Sequence, residues 1–127
     1  MKLSFARIAT RDVARLAAFY RDVTGIAPAG SGEYVEVATP TSGLAIVSQG
    51  ALERHGMNAT APAANRSVIL DFEVADVDRE RARLVDLVAT FVLEPTNQPW
   101  GNRSMLFRDP DGNLINFFAP IDRAARA

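Results

Sequence analysis

The sequence has no cysteine and only one histidine, His55, in 127 residues. Without cysteine the chain can form neither a disulfide framework nor a thiolate metal site. One histidine cannot complete the two-histidine, one-carboxylate triad of non-haem iron oxygenases. Since a lone histidine lacks partner ligands, we interpret His55 as a surface residue.

Excess charge of one sign and long apolar runs are also missing. The formal net charge is −1, which gives no general attraction to nucleic acid or to anionic lipid. No apolar run approaches the roughly 20 residues of a membrane-spanning helix. The first seven residues lack the apolar core of a signal peptide. We therefore expect a cytoplasmic protein that binds neither nucleic acid nor a membrane.

The composition that remains is that of an ordinary globular protein, with 48% apolar and 23% charged residues. The length suits one domain, which we place over residues 1–127. Within it we predict a first module at about 1–50, a linker at 51–65, a second module at 66–120 and a tail at 121–127.

The hydrophobic pattern predicts the same order of elements in both modules: a strand, a helix capped by a polar residue, a short strand, a proline turn and a returning strand. In the first module the helix runs from Val13 to Val23, with Thr10 or Asp12 as its cap and Gly25 at its end. The predicted segments of the first module are 3–9, 13–23, 33–37 and 44–48, with 26–32 as a loop or short strand. Those of the second are 67–74, 77–88, 91–93, 104–107 and 114–118, with 95–102 as a loop.

The two modules also align by sequence. Asp12 and Val13 match Asp76 and Val77 at a separation of 64 residues, whereas Pro40 matches Pro110 at a separation of 70. The difference of six residues fits the loop around Trp100. A period near 64 is too long for a solenoid and indicates a duplicated supersecondary unit.

Two motifs at this separation resemble a known superfamily. The first is Asp12-Val13 followed by Phe19-Tyr20-Arg21-Asp22 and Gly25. The second is Pro99-Trp100-Gly101-Asn102-Arg103 followed by the segment from Phe107 to Ile115, with its Asp109-Pro110-Asp111-Gly112-Asn113 turn. Together they resemble the vicinal oxygen chelate superfamily, which groups glyoxalase I, bleomycin-resistance proteins and extradiol dioxygenases. The resemblance implies an α+β fold of two βαβββ modules with a cupped mixed sheet around a pocket. It also implies a homodimer, because a second chain often completes the pocket.

Metal-using members of this superfamily carry ligands at four equivalent strand positions. Counting from the motifs places them at Phe5, Ile46, Ile69 and Asn116. At the position of Asn116, many relatives have Glu. Two branched alkyl groups, a phenyl ring and one neutral amide cannot hold a divalent ion. A shift of one residue in the first or third position supplies no better donors. We therefore predict neither a metal site nor a cofactor.

The resemblance and the aromatic content together predict a set of ligand-binding residues. The set is Phe5, Tyr34, Ile46, Ile69, Trp100, Arg103, Phe107, Asn116 and Phe118. By family position Asn116 and Ile46 point into the cup, which would place Leu44, Ser48 and Phe118 on the same face.

Several interpretations stay open at this level. Trp100 could stack on a flat ligand or cap the core. Arg103 could bind an anion or pair with a surface carboxylate, and we favour the carboxylate. Strand alternation does not tell which face of its strand Tyr34 or Phe107 occupies. Asp71 and Glu73 alternate with apolar residues, which we interpret as a solvated face.

The predicted function is the binding or sequestration of a small, partly aromatic molecule, such as a drug or a metabolite. The alternative is a lyase, isomerase or dioxygenase-type enzyme that is metal-independent or has an atypical site. Asn116, Arg103 or Tyr34 would supply its polar groups.

Overall fold

The structure, a computed structural model, describes residues 1–57 and 59–121. The chain divides into two compact units, unit 1 (Met1–Asn65) and unit 2 (Arg66–Ala127). Each unit contains one strand–helix–three-strand module with a four-stranded mixed sheet, which confirms the α+β class and the two βαβββ modules. That the whole chain forms a single domain stays a prediction. No helix in the described part of the chain is long and apolar enough to cross a membrane.

Unit 1 is built around the sheet order β1-β4-β3-β2, in which β1 and β4 are parallel and the other neighbours antiparallel. Its elements are β1 (Phe5–Thr10), α1 (Val13–Thr24), β2 (Ala29–Ser31), β3 (Tyr34–Ala38), β4 (Gly43–Ser48) and α2 (Gln49–Arg54).

Helix α1 begins and ends as its sequence predicts. Of the two candidate caps, Asp12 is the one whose side chain accepts from a helix N–H, that of Arg15, at 3.0 Å. The Thr10 hydroxyl accepts instead from the backbone N–H of Asp12. Gly25 ends the helix in the left-handed conformation, with φ of 73°, and its N–H donates to the carbonyl of Arg21.

Helix α2 lies where the sequence predicted the start of a linker. The Ser48 side chain caps it by accepting from the backbone N–H of Ala51 at 2.9 Å. Ala51 and Leu52 are buried and cluster with Val47, against which Ala9 packs. The sequence did not indicate this helix, because six residues are too few to show a helical period, and tertiary packing stabilises a short helix. That residues 51–65 link the two modules stays a prediction.

Unit 2 repeats the plan with the sheet order β5-β8-β7-β6, in which β5 and β8 are parallel. Its elements are β5 (Ile69–Glu73), α3 (Val77–Arg83), β6 (Phe91–Asn97), β7 (Asn102–Arg108) and β8 (Leu114–Pro120). The Asp76 side chain caps α3, as predicted, by accepting from the N–H of Arg79. The rings of Phe107 and Phe117 meet edge to face at 5.0 Å within the core.

The largest differences from the predicted boundaries in unit 2 are the ends of α3 and β6, while β5, β7 and β8 differ by one or two residues. Helix α3 ends at Arg83, and turns then bring Leu84 and Val88 into the core. Strand β6 extends to Asn97, across Pro95, where a loop was predicted. An edge strand tolerates proline, and the pairing of β6 with β7 shifts register between Leu93 and Thr96. The extra residues of the second module therefore lengthen β6 as well as the loop around Trp100. The predicted tail at 121–127 lies, except for Ile121, outside the described residues.

The predicted turn between β7 and β8 is organised by a buried carboxylate. Asp109 accepts from the backbone N–H groups of Asp111 and Asn113, both at 2.9 Å, and from the Asn113 side-chain amide at 2.7 Å. These donors replace the water that burial removes from the Asp109 carboxylate. Oδ2 of Asp111 in the same turn is buried without a partner among the described residues.

Candidate functional site

In unit 1, the strand register assigns each side chain to one of two faces. Val35 pairs with Ile46 and Val37 with Leu44, and all four are buried. Helix α1 contacts β3 and β4 and buries its own apolar side chains, so it covers this face. The opposite side, which we call the unit 1 open face, carries Phe5, Arg7, Tyr34, Glu36, Gly43 and Ala45. Ala45 is fully buried, and Val47 on the same side packs against α2.

Unit 2 divides in the same way. The buried face, on the side of α3, carries Leu70, Phe72, Met105, Phe107, Ile115 and Phe117. The opposite side, the unit 2 open face, carries Ile69, Asp71, Glu73, Leu106, Asn116 and Phe118. Three of the predicted ligand-binding residues therefore share one face: Ile69, Asn116 and Phe118.

The register corrects the alignment that paired Ile46 with Asn116. Phe5 faces Gly43 across β1 and β4, and its counterpart Ile69 faces Leu114 across β5 and β8. Two residues further along each last strand lie Ala45 and Asn116. The structural counterpart of Asn116 is thus Ala45. Ile46 is fully buried on the face that α1 covers, and the expectation that it points with Asn116 toward the open side is wrong.

The Phe5 ring occupies the space that a Cβ on Gly43 would fill. A Cβ placed on Gly43 would be 2.3 Å from Cε1 of Phe5, so the phenyl ring rests directly on the Gly43 backbone. The ring remains 42% exposed. Glycine therefore lets an aromatic ring lie flat on the unit 1 open face, with its outer side accessible.

The polar groups of the unit 1 open face lie beside this ring. Arg7 and Glu36 flank Ala45 from the two neighbouring strands. The Tyr34 hydroxyl donates to Oε1 of Glu36 at 2.9 Å. This bond is the main cause that raises the pKa of Tyr34, while the nearby charge of Arg7 acts in the opposite direction. Tyr34 is accordingly a hydrogen-bond donor at neutral pH and a poor general base.

The unit 2 open face contains a polar pair at its centre. Asp71 and Asn116 are register partners on the parallel strands β5 and β8. The Asn116 amide nitrogen donates to Oδ1 of Asp71 at 3.0 Å. Oδ1 of Asn116 is buried and accepts no hydrogen bond from any described residue.

The remaining predicted residues are not among those that the strand register assigns to the open faces. Trp100 is 69% exposed in the turn between β6 and β7. The Arg103 guanidinium donates to both carboxylate oxygens of Asp78 on α3, at 2.8 and 2.9 Å, and also to Asn97. This is the surface pairing that the sequence favoured. Phe107 is fully buried on the side of α3.

Some residues of the open faces were missed or misread in the sequence. Arg7 and Asp71 occupy equivalent positions, five residues before the helix caps Asp12 and Asp76. The equal distance from the two helix caps could have identified both positions from the sequence alone. Ala45 could not be found, because its place depends on the register between two strands that are distant in sequence.

The residues at the four family ligand positions do not fit a metal. With the corrected register they are Phe5, Ala45, Ile69 and Asn116, which together offer a single neutral amide oxygen. Divalent metal sites need several imidazole, thiolate or carboxylate donors. Within residues 1–57 and 59–121, no three histidine, aspartate or glutamate side chains cluster as a metal site would require.

Comparison with known proteins assigns the fold and the family. The model of the glyoxalase/bleomycin resistance protein/dioxygenase superfamily matches residues 2–117. A glyoxalase/bleomycin resistance protein/dioxygenase from Nocardioides is 22% identical, with a TM-score of 0.80 over 97% of this chain and 85% of the other. A family enzyme from Burkholderia phytofirmans PsJN is 21% identical, with a TM-score of 0.82 over 93% and 98%.

A protein of unknown function from Agrobacterium tumefaciens str. C58 is 29% identical, with a TM-score of 0.80 over 95% of each chain. No curated protein sequence matches the chain.

Proposed function

The chain belongs to the glyoxalase/bleomycin resistance protein/dioxygenase superfamily, and from this membership we propose that it binds a small molecule without a catalytic metal. One observation carries the proposal. At the four positions where metal-using members carry ligands, this chain has Phe5, Ala45, Ile69 and Asn116. Three of these side chains are apolar, and two of them, Phe5 and Ile69, are exposed, so they suit contact with an organic molecule better than coordination of an ion.

The ligand we propose is flat and largely apolar. Each unit offers an apolar surface of its own. Phe5 is an accessible ring on the unit 1 open face. On the unit 2 open face, Ile69 is 50% exposed, and β8 carries the half-buried Phe118. Aromatic and branched side chains of this kind are the usual lining of small-molecule sites. Trp100 would add a rigid aromatic surface if its turn closes over the ligand.

We further propose a homodimer in the cytoplasm. In the described residues, β1 pairs only with β4 and β5 only with β8, so each sheet has a strand edge that a partner can cover. Light scattering at micromolar concentration should give about twice the chain mass of 13.8 kDa. A monomer at that concentration would contradict the dimer, and fractionation of cells that express the chain tests the location.

The metal-free state is tested by elemental analysis of protein purified without a histidine tag. We expect far less than one equivalent of zinc, nickel, iron or manganese per chain, and the same melting temperature with and without EDTA. Near-stoichiometric metal that EDTA removes with a fall in melting temperature would overturn the proposal.

Ligand binding is tested with a library of flat aromatic molecules in a thermal-shift screen. A ligand at 100 times its dissociation constant should stabilise the folded state by about 2.7 kcal/mol. For a chain of this length, this amounts to a rise in melting temperature of several degrees. If no compound raises the melting temperature, the binding function is wrong.

A pair of matched variants separates specific binding from general effects. Ile69→Ala shortens an exposed apolar side chain on the unit 2 open face, while Val85→Ala does the same at a residue that is 56% exposed after helix α3. We expect Ile69→Ala to weaken binding of a confirmed ligand about tenfold, a loss of more than 1 kcal/mol. Val85→Ala should leave the affinity unchanged. Equal effects of the two variants would exclude the unit 2 open face as the site.

A further inference from the structure

The centre of the unit 2 open face has one polar group without a partner. Asn116 and Asp71 face each other across β8 and β5, and the Asn116 amide nitrogen donates to Asp71 Oδ1 at 3.0 Å. This bond sets the orientation of the amide, because a flipped amide would place two oxygen atoms against each other. Oδ1 of Asn116 is therefore directed away from Asp71, and it is buried without a donor among the described residues.

A buried acceptor without a donor is unfavourable, and native structures rarely leave one unexplained. Because Oδ1 is covered, a ligand that brings an N–H or O–H group satisfies it by displacing the side chains that cover it.

The charged side chains around Asn116 indicate which kind of donor group a ligand would carry. Asp71 and Glu73 lie on the same face of β5, two residues apart, about 6.6 Å along the strand. In the described part of the chain, neither carboxylate has a salt bridge to a basic side chain. Arg108 lies on the same face opposite Leu114, where its guanidinium donates to the carbonyl of Gly112. The charged side chain directly opposite Asn116 is that of Asp71, which attracts positive charge.

Resting on the proposed function, we propose that the ligand of the unit 2 open face carries a cationic N–H group on its flat apolar body. An amidinium, a guanidinium or a protonated amine would serve. One N–H donates to Oδ1 of Asn116, and the charge is balanced by Asp71, with Glu73 next to it. The apolar body then lies against Ile69 and Phe118. Charge-assisted hydrogen bonds of this kind are shorter and stronger than neutral ones.

Three probes of one shape test the inference: naphthalene-2-carboxamidine, which is cationic, naphthalene-2-carboxamide, which is neutral, and naphthalene-2-carboxylate, which is anionic. Calorimetric titration of the full chain at low ionic strength measures their affinities. We expect the amidine to bind at least tenfold more tightly than the amide and the carboxylate to bind most weakly. The preference for the amidine should fall as salt is added.

Two variants that remove the same charge identify the site. Asp71→Asn should abolish the preference for the amidine over the amide, while Asp86→Asn, at an exposed carboxylate in the turn after α3, should retain it. Asn116→Leu removes the unpartnered acceptor and should also reduce the preference. The three affinities are first ranked on the wild-type protein. The inference therefore remains testable even when a variant does not fold.

The outcomes distinguish this inference from the proposed function. If the three probes bind with equal affinity, or if Asp71→Asn retains the preference, the cationic ligand class is wrong and small-molecule binding stands. If none of the probes shows saturable binding up to millimolar concentration, both the inference and the proposed function are overturned.

Discussion

Replacement of Trp100 by alanine separates a contact with ligand from a contribution to the core. Trp100 is 69% exposed, so only about a third of its side chain is covered. A large aromatic side chain buries up to about 250 Å². A third of that area, at about 25 cal/mol per Å², sets an upper limit of about 2 kcal/mol for the loss of stability. The true loss is smaller, because an unfolded chain already covers part of this surface.

Phe107 provides the internal reference for this experiment. It is fully buried, and its ring contacts Phe117 at 5.0 Å and Phe91 at 6.2 Å. Phe107→Ala should therefore cost about 3–5 kcal/mol. If that variant does not fold, Phe107→Leu gives a milder comparison.

Urea denaturation followed by circular dichroism measures both losses, and equal slopes would show that only stability has changed. Trp100→Ala should also weaken binding of a flat ligand by about 1–3 kcal/mol if the ring stacks on it. A loss of stability as large as that of Phe107→Ala would refute the reasoning from exposure. Unchanged affinity and unchanged tryptophan emission on binding would refute the stacking role.

Three further predictions concern stability. Asp109→Ala should cost at least about 2 kcal/mol, because it leaves two buried donors and one partly buried donor without their acceptor; an unchanged urea midpoint would contradict this. Gly25→Ala should cost about 1 kcal/mol for a positive φ alone, since a Cβ there meets no atom within 4 Å, and a larger loss by the same assay would indicate a clash. Arg103 lowers the pKa of Asp78 through their hydrogen bond, so their exposed pair should contribute at most about 1 kcal/mol. The folded pKa lies below the unfolded value of about 3.9, so the contribution is present above that pH and is lost as the pH falls through the folded value. The stability difference between wild type and Asp78→Asn should therefore shrink in acid and in high salt, and a difference independent of pH would argue against the pair.

The order of the elements and the fold class could be predicted from sequence because the signals are local. Asp12 and Asp76 cap the helices that follow them, and Gly25 ends the first helix with a positive φ. The turn from Asp109 to Asn113 closes through bonds between residues at most four apart. Each of these features depends on a few neighbouring residues, so the same order of elements can be read twice along the chain.

Only the tertiary structure decided which side chains share a face. The register between β1 and β4 assigns Ala45, and not Ile46, to the position of Asn116, and a change of one residue moves a side chain to the opposite face of the sheet. The bond from Asn116 to Asp71 joins residues 45 apart, and the bond from Arg103 to Asp78 joins residues 25 apart. By itself the sequence determined the family and the duplication, since these follow from residue type and spacing. The candidate site depended on the pairing of distant strands, because hydrogen bonds between backbones set that pairing and local sequence does not encode it.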